Sequence, residues 1–479
     1  MTNPVRFAPL DYALIAIYFA FLVVIGVFTA RRKVTGESSE DFMLAGRSLT
    51  LPAFVASLVA TWYGGILGVG QFAYESGVAT WTVFGLPYYL FAVIYAFFLA
   101  GKVRGVARLT IPDTLQSAHS RPVALLGSLF LFCLVTPAPY TLMLGTMLHD
   151  MFGWPLLLAL ILGTILSVAF VVTGGFNTDV RTNIFQFLLM FTSFAMILGF
   201  AVVKHGGVGA MFAQLPPTLR QPSGGLAWPL IVVWYFIAMW TLVDPGFHQR
   251  CSAASSPRTA RNGILISVLC WALFDFMTIT TGLYARVLLP HLSNTVEAYP
   301  ALSQLILPAG AKGYFWVGML ATVMSTVISY TLIAAITVGR DIVWRFAPQR
   351  TGESDVFWTR IGVVVSSALA ILAAYKLPTV VGLWYTIGTA FIPGLLLPLL
   401  TAYSPRVRVA PPYTFVAMLL GVALPIVWMV LGYKAGGMDE DHYPWRIEPI
   451  YLGLGASTLV WAAGRIAGGR VKSAAPAAV

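Results

Sequence analysis

An uncharged stretch at residues 317–338 reads VGMLATVMSTVISYTLIAAITV and is long enough to cross a bilayer as a helix. It contains Thr322, Ser325, Thr326 and Ser329, whose spacing of three, four and seven positions places all four hydroxyls on one helix face. Such oxygens can bind a small hard cation such as Na+. Ser and Thr also hydrogen-bond between membrane helices, so the rest of the chain must distinguish the two interpretations.

The composition predicts an integral membrane protein, because 58% of the 479 residues are hydrophobic and only 10% are charged. The formal charge of +11 does not indicate nucleic-acid binding here, since Lys and Arg accumulate on cytoplasmic loops of membrane proteins. The three cysteines follow no disulfide, metal or redox pattern, and no loop carries a nucleophile with a base, so we expect no enzyme.

Apolar runs recur along the chain and predict thirteen membrane spans, with approximate limits 10–30, 50–72, 78–101, 122–147, 154–173, 182–203, 228–247, 262–289, 313–338, 359–376, 379–403, 412–432 and 449–464. If the N-terminus lies outside, 21 of the 29 Lys and Arg residues fall on inside loops. The acidic loop 438–442 then falls outside. We therefore expect a multi-pass protein of the inner (plasma) membrane with its C-terminus in the cytoplasm.

Two spans carry residues that interrupt a helix at membrane depth. The second span reads SLVATWYGGILGVG from Ser57, and the seventh reads MWTLVDPGFHQR from Met239. Unwound backbone survives in a membrane only inside protein or beside a cavity. Interrupted spans at matching positions of two halves indicate a transporter binding site, although glycines also permit close helix packing.

The interrupted spans are five apart and enter the membrane in opposite directions. This arrangement predicts an all-α polytopic fold with a five-plus-five inverted repeat, one extra helix before it and two after. In a single transporter domain at 1–479, the units are the first helix and loop 10–48, the repeats 50–203 and 228–403, the last two helices 411–465 and a disordered tail 466–479.

The ninth span can share an ion with the second. If the second span unwinds near Ala60 to Tyr63, its carbonyls can join the oxygens of Ser325 and Thr326. This set supplies about five oxygen ligands without a carboxylate, which favours Na+ over a divalent ion.

Several motifs in order resemble those of the sodium:solute symporter family over nearly the whole chain. They are Asp41-Phe-Met-Leu-Ala-Gly-Arg-Ser48, Ser57-Leu-Val-Ala-Thr61, Ile111-Pro-Asp-Thr114, Thr173-Gly-Gly175, Thr182-Asn-Ile-Phe-Gln186, His248-Gln-Arg250, Met324-Ser-Thr326 and Arg340-Asp-Ile342. The resemblance implies an inverted-repeat fold of thirteen or more spans and Na+-driven uptake of small organic solutes. It also implies a Na+ site formed by the carbonyls of Ala60, Tyr63 and Thr322 and the hydroxyls of Ser325 and Thr326.

The chain departs from the family pattern at a second Na+ site. Asn183 stands where the family usually has the Asp that assists this ion, and Ser329 is the only hydroxyl that remains of the site. Asn183 and Ser329 are thus the candidates for a second site, and we expect one Na+ per cycle.

Within the family, Ala60-Thr-Trp-Tyr-Gly-Gly65 and Gly382-Leu-Trp-Tyr385 look most like the high-affinity choline transporter branch. Trp62, Tyr88 and Trp384 match aromatic positions that bind choline in that branch. Aromatic faces hold quaternary ammonium groups. A further Trp of that set corresponds to Asp244 here.

The candidate solute residues are Trp62, Tyr88, Trp240, Asp244 and Trp384. Asp275 is a second acid within a span. Acids inside a membrane are energetically costly, so each is a candidate functional residue. Asp275 can anchor a substrate amine, carry protons, or form a structural pair with Arg286 or His248. We expect Arg181 and Arg250, in contrast, to face cytoplasmic water and headgroups.

The sequence therefore predicts a secondary active transporter that couples Na+ to a cationic or zwitterionic solute, such as an amine, betaine or amino acid, by alternating access. Two alternatives keep the same fold: a proton-coupled or Na+-independent transporter, and a solute sensor. The expected partners are the solute, Na+ and the lipid bilayer, with no nucleic acid, and the chain is expected to be a monomer or a loose homo-oligomer.

Overall fold

The structure is a computed structural model that describes residues 5–31, 38–106, 108–169, 171–345, 354–376, 379–437, 439 and 441–467. Most of the predicted tail 466–479, and positions 438 and 440 of the acidic loop, lie outside the described residues. Within the described ranges the regular structure is helical, and the one β-bridge joins Leu49 to Ala254.

The α-helices, in chain order, are Pro9–Arg31, Ser39–Leu44, Leu51–Trp62, Ile66–Ser76, Leu86–Phe98, Ala100–Val106, Ile111–Ala118, Arg121–Leu134, Ala138–Phe152, Leu156–Val168, Val171–His205, Val208–Gln214, Trp228–Ile237, Trp240–Val243, Pro245–Ala253, Pro257–Leu288, Ala298–Ile306, Ala311–Ile336, Asp355–Lys376, Val380–Ala402, Pro411–Ala435 and Pro449–Ala467. Wider π-helical turns at Trp81–Gly85 and Thr337–Trp344 and five short 3-10 turns join them in the described chain.

Ten helical stretches in the described part of the chain are long and apolar enough to cross a membrane. The bent pair Leu51–Trp62 and Ile66–Ser76 makes an eleventh, while the apolar helices at Pro9–Ile25 and Leu156–Val168 are shorter. The prediction of an all-α membrane protein is confirmed. The number of thirteen spans stays a prediction.

The helix Ala311–Ile336, here called the hydroxyl helix, forms the centre of the bundle. Every residue in its most apolar window is buried, and Val171–His205, Pro9–Arg31 and Leu51–Trp62 pack around it. Its first turn is fixed by Asp11, whose Oδ1 accepts from the amides of Gly310 at 2.7 Å and Gly313 at 2.8 Å. A carboxylate at a helix N-terminus satisfies free amides and complements the helix dipole.

Two motifs far apart in sequence meet at the end of the molecule that we expect to face the cytoplasm. Asp113, on Ile111–Ala118, pairs with Arg340 at 3.0 Å and with Arg345 at 2.7 Å. Arg340 also pairs with Asp341 at 2.8 Å and with Asp355 at 3.3 Å. Burial opposes ionisation of Asp113, but the two guanidinium groups outweigh it and hold the pKa of this carboxyl below its usual value. The network ties three helices together at this end.

Close packing of the hydroxyl helix depends on Gly318. A Cβ there would lie 1.8 Å from Ser193 Oγ on Val171–His205, so a larger residue must push the two helices apart. We expect Gly318→Ala to lower the free energy of unfolding by about 1–3 kcal/mol. Thermal unfolding of the purified protein in detergent, followed by tryptophan fluorescence, measures the change.

The matched control is Gly199→Ala, because a Cβ at this exposed position of Val171–His205 meets nothing within 4 Å. It should leave the melting temperature unchanged or raise it slightly, since alanine favours a helix over glycine. Equal melting temperatures for the two variants would contradict the packing argument.

Candidate functional site

The first interrupted span breaks where the sequence places two glycines. Leu51–Trp62 ends, residues 63–65 form a turn, and Ile66–Ser76 continues at an angle of 60°. A Cβ on Gly64 would lie 1.9 Å from Thr326 Oγ1, and one on Gly65 would lie 2.2 Å from the Trp384 ring. Glycines are therefore required because the turn touches the hydroxyl helix on one side and a tryptophan on the other.

Hydroxyls of the hydroxyl helix bind the carbonyls released at this break. Ser325 Oγ lies 2.7 Å from both the Ala60 and the Thr322 carbonyl oxygens. Thr326 Oγ1 donates to the Thr61 carbonyl at 2.6 Å. All of these residues are buried.

The predicted ion ligands Ala60, Thr322, Ser325 and Thr326 thus converge, and the predicted ligand Tyr63 begins the adjoining turn. The Thr322 hydroxyl is engaged by the Gly318 carbonyl at 2.7 Å, so its own carbonyl is the oxygen that faces Ser325. The set is neutral and lies at the C-terminal end of a helix, where the helix dipole favours a cation. This arrangement fits a monovalent cation that prefers oxygen.

A cavity of about 790 Å³, including its part open to solvent, lies beside the break. The four predicted aromatic residues Trp62, Tyr88, Trp240 and Trp384 all line it. Apart from Gly65, Val69 and Asp275, every residue of the lining is aromatic, and the others are Tyr63, Phe84, Tyr89, Tyr140, Trp271 and Tyr330.

Asp275 is the charged side chain of this lining, and two tyrosines hold it in place. The hydroxyls of Tyr63 and Tyr89 donate to its two carboxylate oxygens. The alternative pairing with Arg286 or His248 is wrong, because Arg286 donates to the Pro290 carbonyl at 2.6 Å and His248 contacts the Leu242 carbonyl at 3.2 Å. The carboxylate therefore faces the cavity without a cationic partner among its hydrogen-bond donors.

The second interrupted span breaks at Asp244, as the Asp-Pro-Gly sequence predicts. The helix Trp240–Val243 ends, Asp244 is extended, and Pro245–Ala253 begins. Asp244 Oδ1 accepts from the Phe247 amide at 3.0 Å, and Oδ2 accepts from the Tyr330 hydroxyl at 2.9 Å. Asp244 is not among the residues that line the cavity, and it contacts one of them, Tyr330.

The expectation that Arg250 faces cytoplasmic water is wrong. Its side chain is fully buried and pairs at 3.0 Å with the equally buried Asp179. The span limits 154–173 and 182–203 place Asp179 on a loop, whereas in the structure it lies on Val171–His205, just after a kink at Gly175. Asn183 follows Asp179 by four residues, and this spacing on one helix face is the signal that would have linked them.

The two candidates for a second ion site join this pair. Asn183 Nδ2 lies 3.1 Å from Asp179 Oδ1 and 3.2 Å from Ser329 Oγ. We call the group the Asp179 cluster; its members are Ser57, Thr61, Asp179, Asn183, Arg250 and Ser329. It lies one turn along the hydroxyl helix from Ser325 and Thr326.

Known proteins that resemble this chain are transporters and cotransporters. The high-affinity choline transporter 1 of Drosophila melanogaster is 25% identical over 77% of this chain, and the match spans 63% of that relative's length. The sodium/glucose cotransporter of Vibrio parahaemolyticus is 23% identical over 80% of this chain and 76% of its own.

The fold is also that of known transporters. The structure of a Na+-coupled sialic acid symporter in a substrate-bound, outward-open state superimposes with a TM-score of 0.78 at 19% identity, and covers 96% of this chain and 97% of that one. The fold is thus the leucine-transporter type, as predicted. The profile of the sodium:solute symporter family matches residues 42–407, and the chain belongs to this family.

Proposed function

We propose that this protein is a symporter that uses Na+ to take up a small cationic or zwitterionic organic solute by alternating access. Na+ is the coupling ion, in keeping with the family. The observation that carries the proposal is that an oxygen cluster at a broken helix lies directly beside an aromatic cavity with one carboxylate.

Na+ would bind among the carbonyls of Ala60, Tyr63 and Thr322 and the hydroxyls of Ser325 and Thr326. The Ser325 hydroxyl now lies against two carbonyls of this group, and the Thr326 hydroxyl donates to the adjacent Thr61 carbonyl. Both hydroxyl hydrogens can turn away when a cation brings the oxygens together around itself. Both contributing helices would then be bridged by the ion. Binding would favour the arrangement in which the broken span and the hydroxyl helix lie closest.

The chemistry of the cavity favours an organic cation or a zwitterion. Faces of Trp and Tyr attract ammonium groups, and Trp62, Tyr88 and Trp384 supply such faces. Asp275 supplies a negative charge for an amine or a quaternary ammonium group. The similarity to a choline transporter supports this solute class.

Tyr63 provides a physical connection between the ion and the solute. Its backbone belongs to the turn that ends the broken helix, and its hydroxyl donates to Asp275 in the cavity. The same hydroxyl contacts Thr278 Oγ1 at 2.7 Å, which fixes the ring. An ion that orders the turn would therefore also orient the carboxylate that receives the solute.

We propose that alternating access arises from movement of the units 50–203 and 228–403 against each other, with the N-terminus outside and the C-terminus in the cytoplasm. The ion pairs of Asp113 with Arg340 and Arg345 would hold the cytoplasmic side closed. We expect the chain to act as a monomer or a loose homo-oligomer.

The ion site is tested by Thr326→Val, which preserves shape and removes the hydroxyl. We expect the Na+ concentration that gives half of the maximal thermal stabilisation to rise roughly tenfold or more, since a ligand to a charged group is lost. The control is Thr331→Val on the same helix, because the buried Thr331 hydroxyl has no hydrogen-bond partner in the described structure. Equal Na+ dependence of the two variants would place the ion elsewhere.

The solute site is tested by Asp275→Asn, which removes the charge and preserves the size. A thermal-shift assay with choline, glycine betaine and amino acids in Na+ or K+ first identifies a solute that stabilises the wild-type protein. For that solute in Na+, we expect the concentration that gives half of the maximal stabilisation to rise about 10- to 100-fold in the variant. Stabilisation by Na+ alone should persist. Asp244→Asn is the matched variant, and a larger effect there would make Asp244 the anchor. Stabilisation that follows pH and ignores Na+ would instead favour proton coupling.

A further inference from the structure

The Asp179 cluster places a side-chain cation among oxygens of the kind that would bind a second Na+. Arg250 Nε donates to Ser57 Oγ at 3.0 Å. Its Nη2 donates to Thr61 Oγ1 at 2.7 Å, to Asp179 Oδ2 at 3.0 Å and to Ser329 Oγ at 3.2 Å. The guanidinium group thus already contacts every hydroxyl of the cluster and its one carboxylate.

The same oxygens are also occupied by a second donor. Asn183 Nδ2 lies 3.4 Å from Ser57 Oγ and 3.2 Å from Thr61 Oγ1. A metal ion at this point would need free lone pairs on these oxygens, but N–H groups of Arg250 and Asn183 already use them. The residues present do not fit a second Na+.

Charge balance leads to the same result. Asp179 and Arg250 are both completely buried and neutralise each other. The remaining cluster members are neutral, and Phe176 covers the guanidinium at 5.4 Å from its ring centroid. The nearby buried acid Asp244 also interacts with Arg250, but the Phe247 amide and the Tyr330 hydroxyl already donate to its two carboxylate oxygens. An added Na+ would therefore bring a positive charge to a cluster whose own charges cancel, and a buried charge without a partner is strongly unfavourable.

Building on the function proposed above, we propose that the Arg250 guanidinium is a permanent, covalently attached cation at the second ion position. The protein therefore binds one exchangeable Na+ per chain, at Ser325 and Thr326. Asp179 takes the part of the acid that Asn183 no longer supplies, one helical turn earlier on the same helix.

The attached cation is also linked to the exchangeable site through Thr61. Thr61 accepts from Arg250 through its hydroxyl and from Thr326 through its carbonyl. Arg250 lies on Pro245–Ala253, just after the break at Asp244. The first interrupted span is thus joined to the hydroxyl helix at Ser325 and Thr326, and the second is joined one turn further on, where Arg250 contacts Ser329. The guanidinium cation stays with the protein throughout the cycle.

The proposal is tested by counting sites with radioactive Na+ in equilibrium binding to the purified full-length protein. We expect one site per chain and a hyperbolic isotherm, and Ser325→Ala with Thr326→Ala should remove that site. Two sites in the wild type would overturn the inference and leave Na+ coupling intact. No site at all would overturn the proposed function itself.

Removal of the guanidinium should create the missing site. In Arg250→Met, Asp179 is left unbalanced, and the Asn183 Oδ1 atom, which has no partner in the described structure, can turn toward the vacated space. We expect a second Na+ site in this variant, and its loss when Asp179→Asn is added. A folded Arg250→Met protein with a single site would contradict the proposal.

Arg250→Lys preserves a cation and keeps the proposal testable if Arg250→Met does not fold. It should bind one Na+ per chain, as the wild type does. Two sites in Arg250→Lys would show that a side-chain cation at this position does not exclude Na+, and would overturn the inference.

Discussion

The hydrogen bonds from Ser325 and Thr326 to the carbonyls of Ala60 and Thr61 make the interrupted span possible. A helix that stops inside a membrane leaves carbonyls that neither water nor the next turn can satisfy. Here a neighbouring helix supplies the missing donors. Because that helix must come within contact of the break, it is buried on all sides, and Gly64 has no room for a side chain.

The cavity is a consequence of the same break. The turn at residues 63–65 brings the Trp384 ring against Gly65 and directs the Tyr63 hydroxyl toward Asp275. Three buried acids near the two breaks are stabilised in different ways. Asp179 pairs with a guanidinium, Asp244 caps a helix, and Asp275 accepts from two tyrosines. Among these, Asp275 is the one that lines the cavity.

The sequence predicts the parts of this structure that depend on local chemistry. Gly64 and Gly65 indicate the first break, Asp244 and Pro245 indicate the second, and the spacing of Ser325 and Thr326 indicates one helix face. The family resemblance adds the carbonyl ligands and three of the aromatic residues. These signals all lie within a few residues of each other, or in motifs that a family shares.

The missed features depend on which helices become neighbours. Arg250 and Asp179 are 71 positions apart, and no local pattern indicates that they pair. Counting basic residues to orient the chain also treats each Arg as a loop residue, which misplaces one that is buried with a partner. Tyr89 and Trp271 were not predicted to line the cavity because only the packing decides which face of a helix points inward.

A cation attached to the chain by covalent bonds limits how far a solute can be concentrated. An ion that dissociates on the far side of the membrane contributes the free energy of its own gradient to accumulation of the solute. A guanidinium group returns with the protein and contributes none. With one Na+ released per turnover, the ratio of inside to outside solute rises with the first power of the Na+ ratio. With two, it would rise with the square.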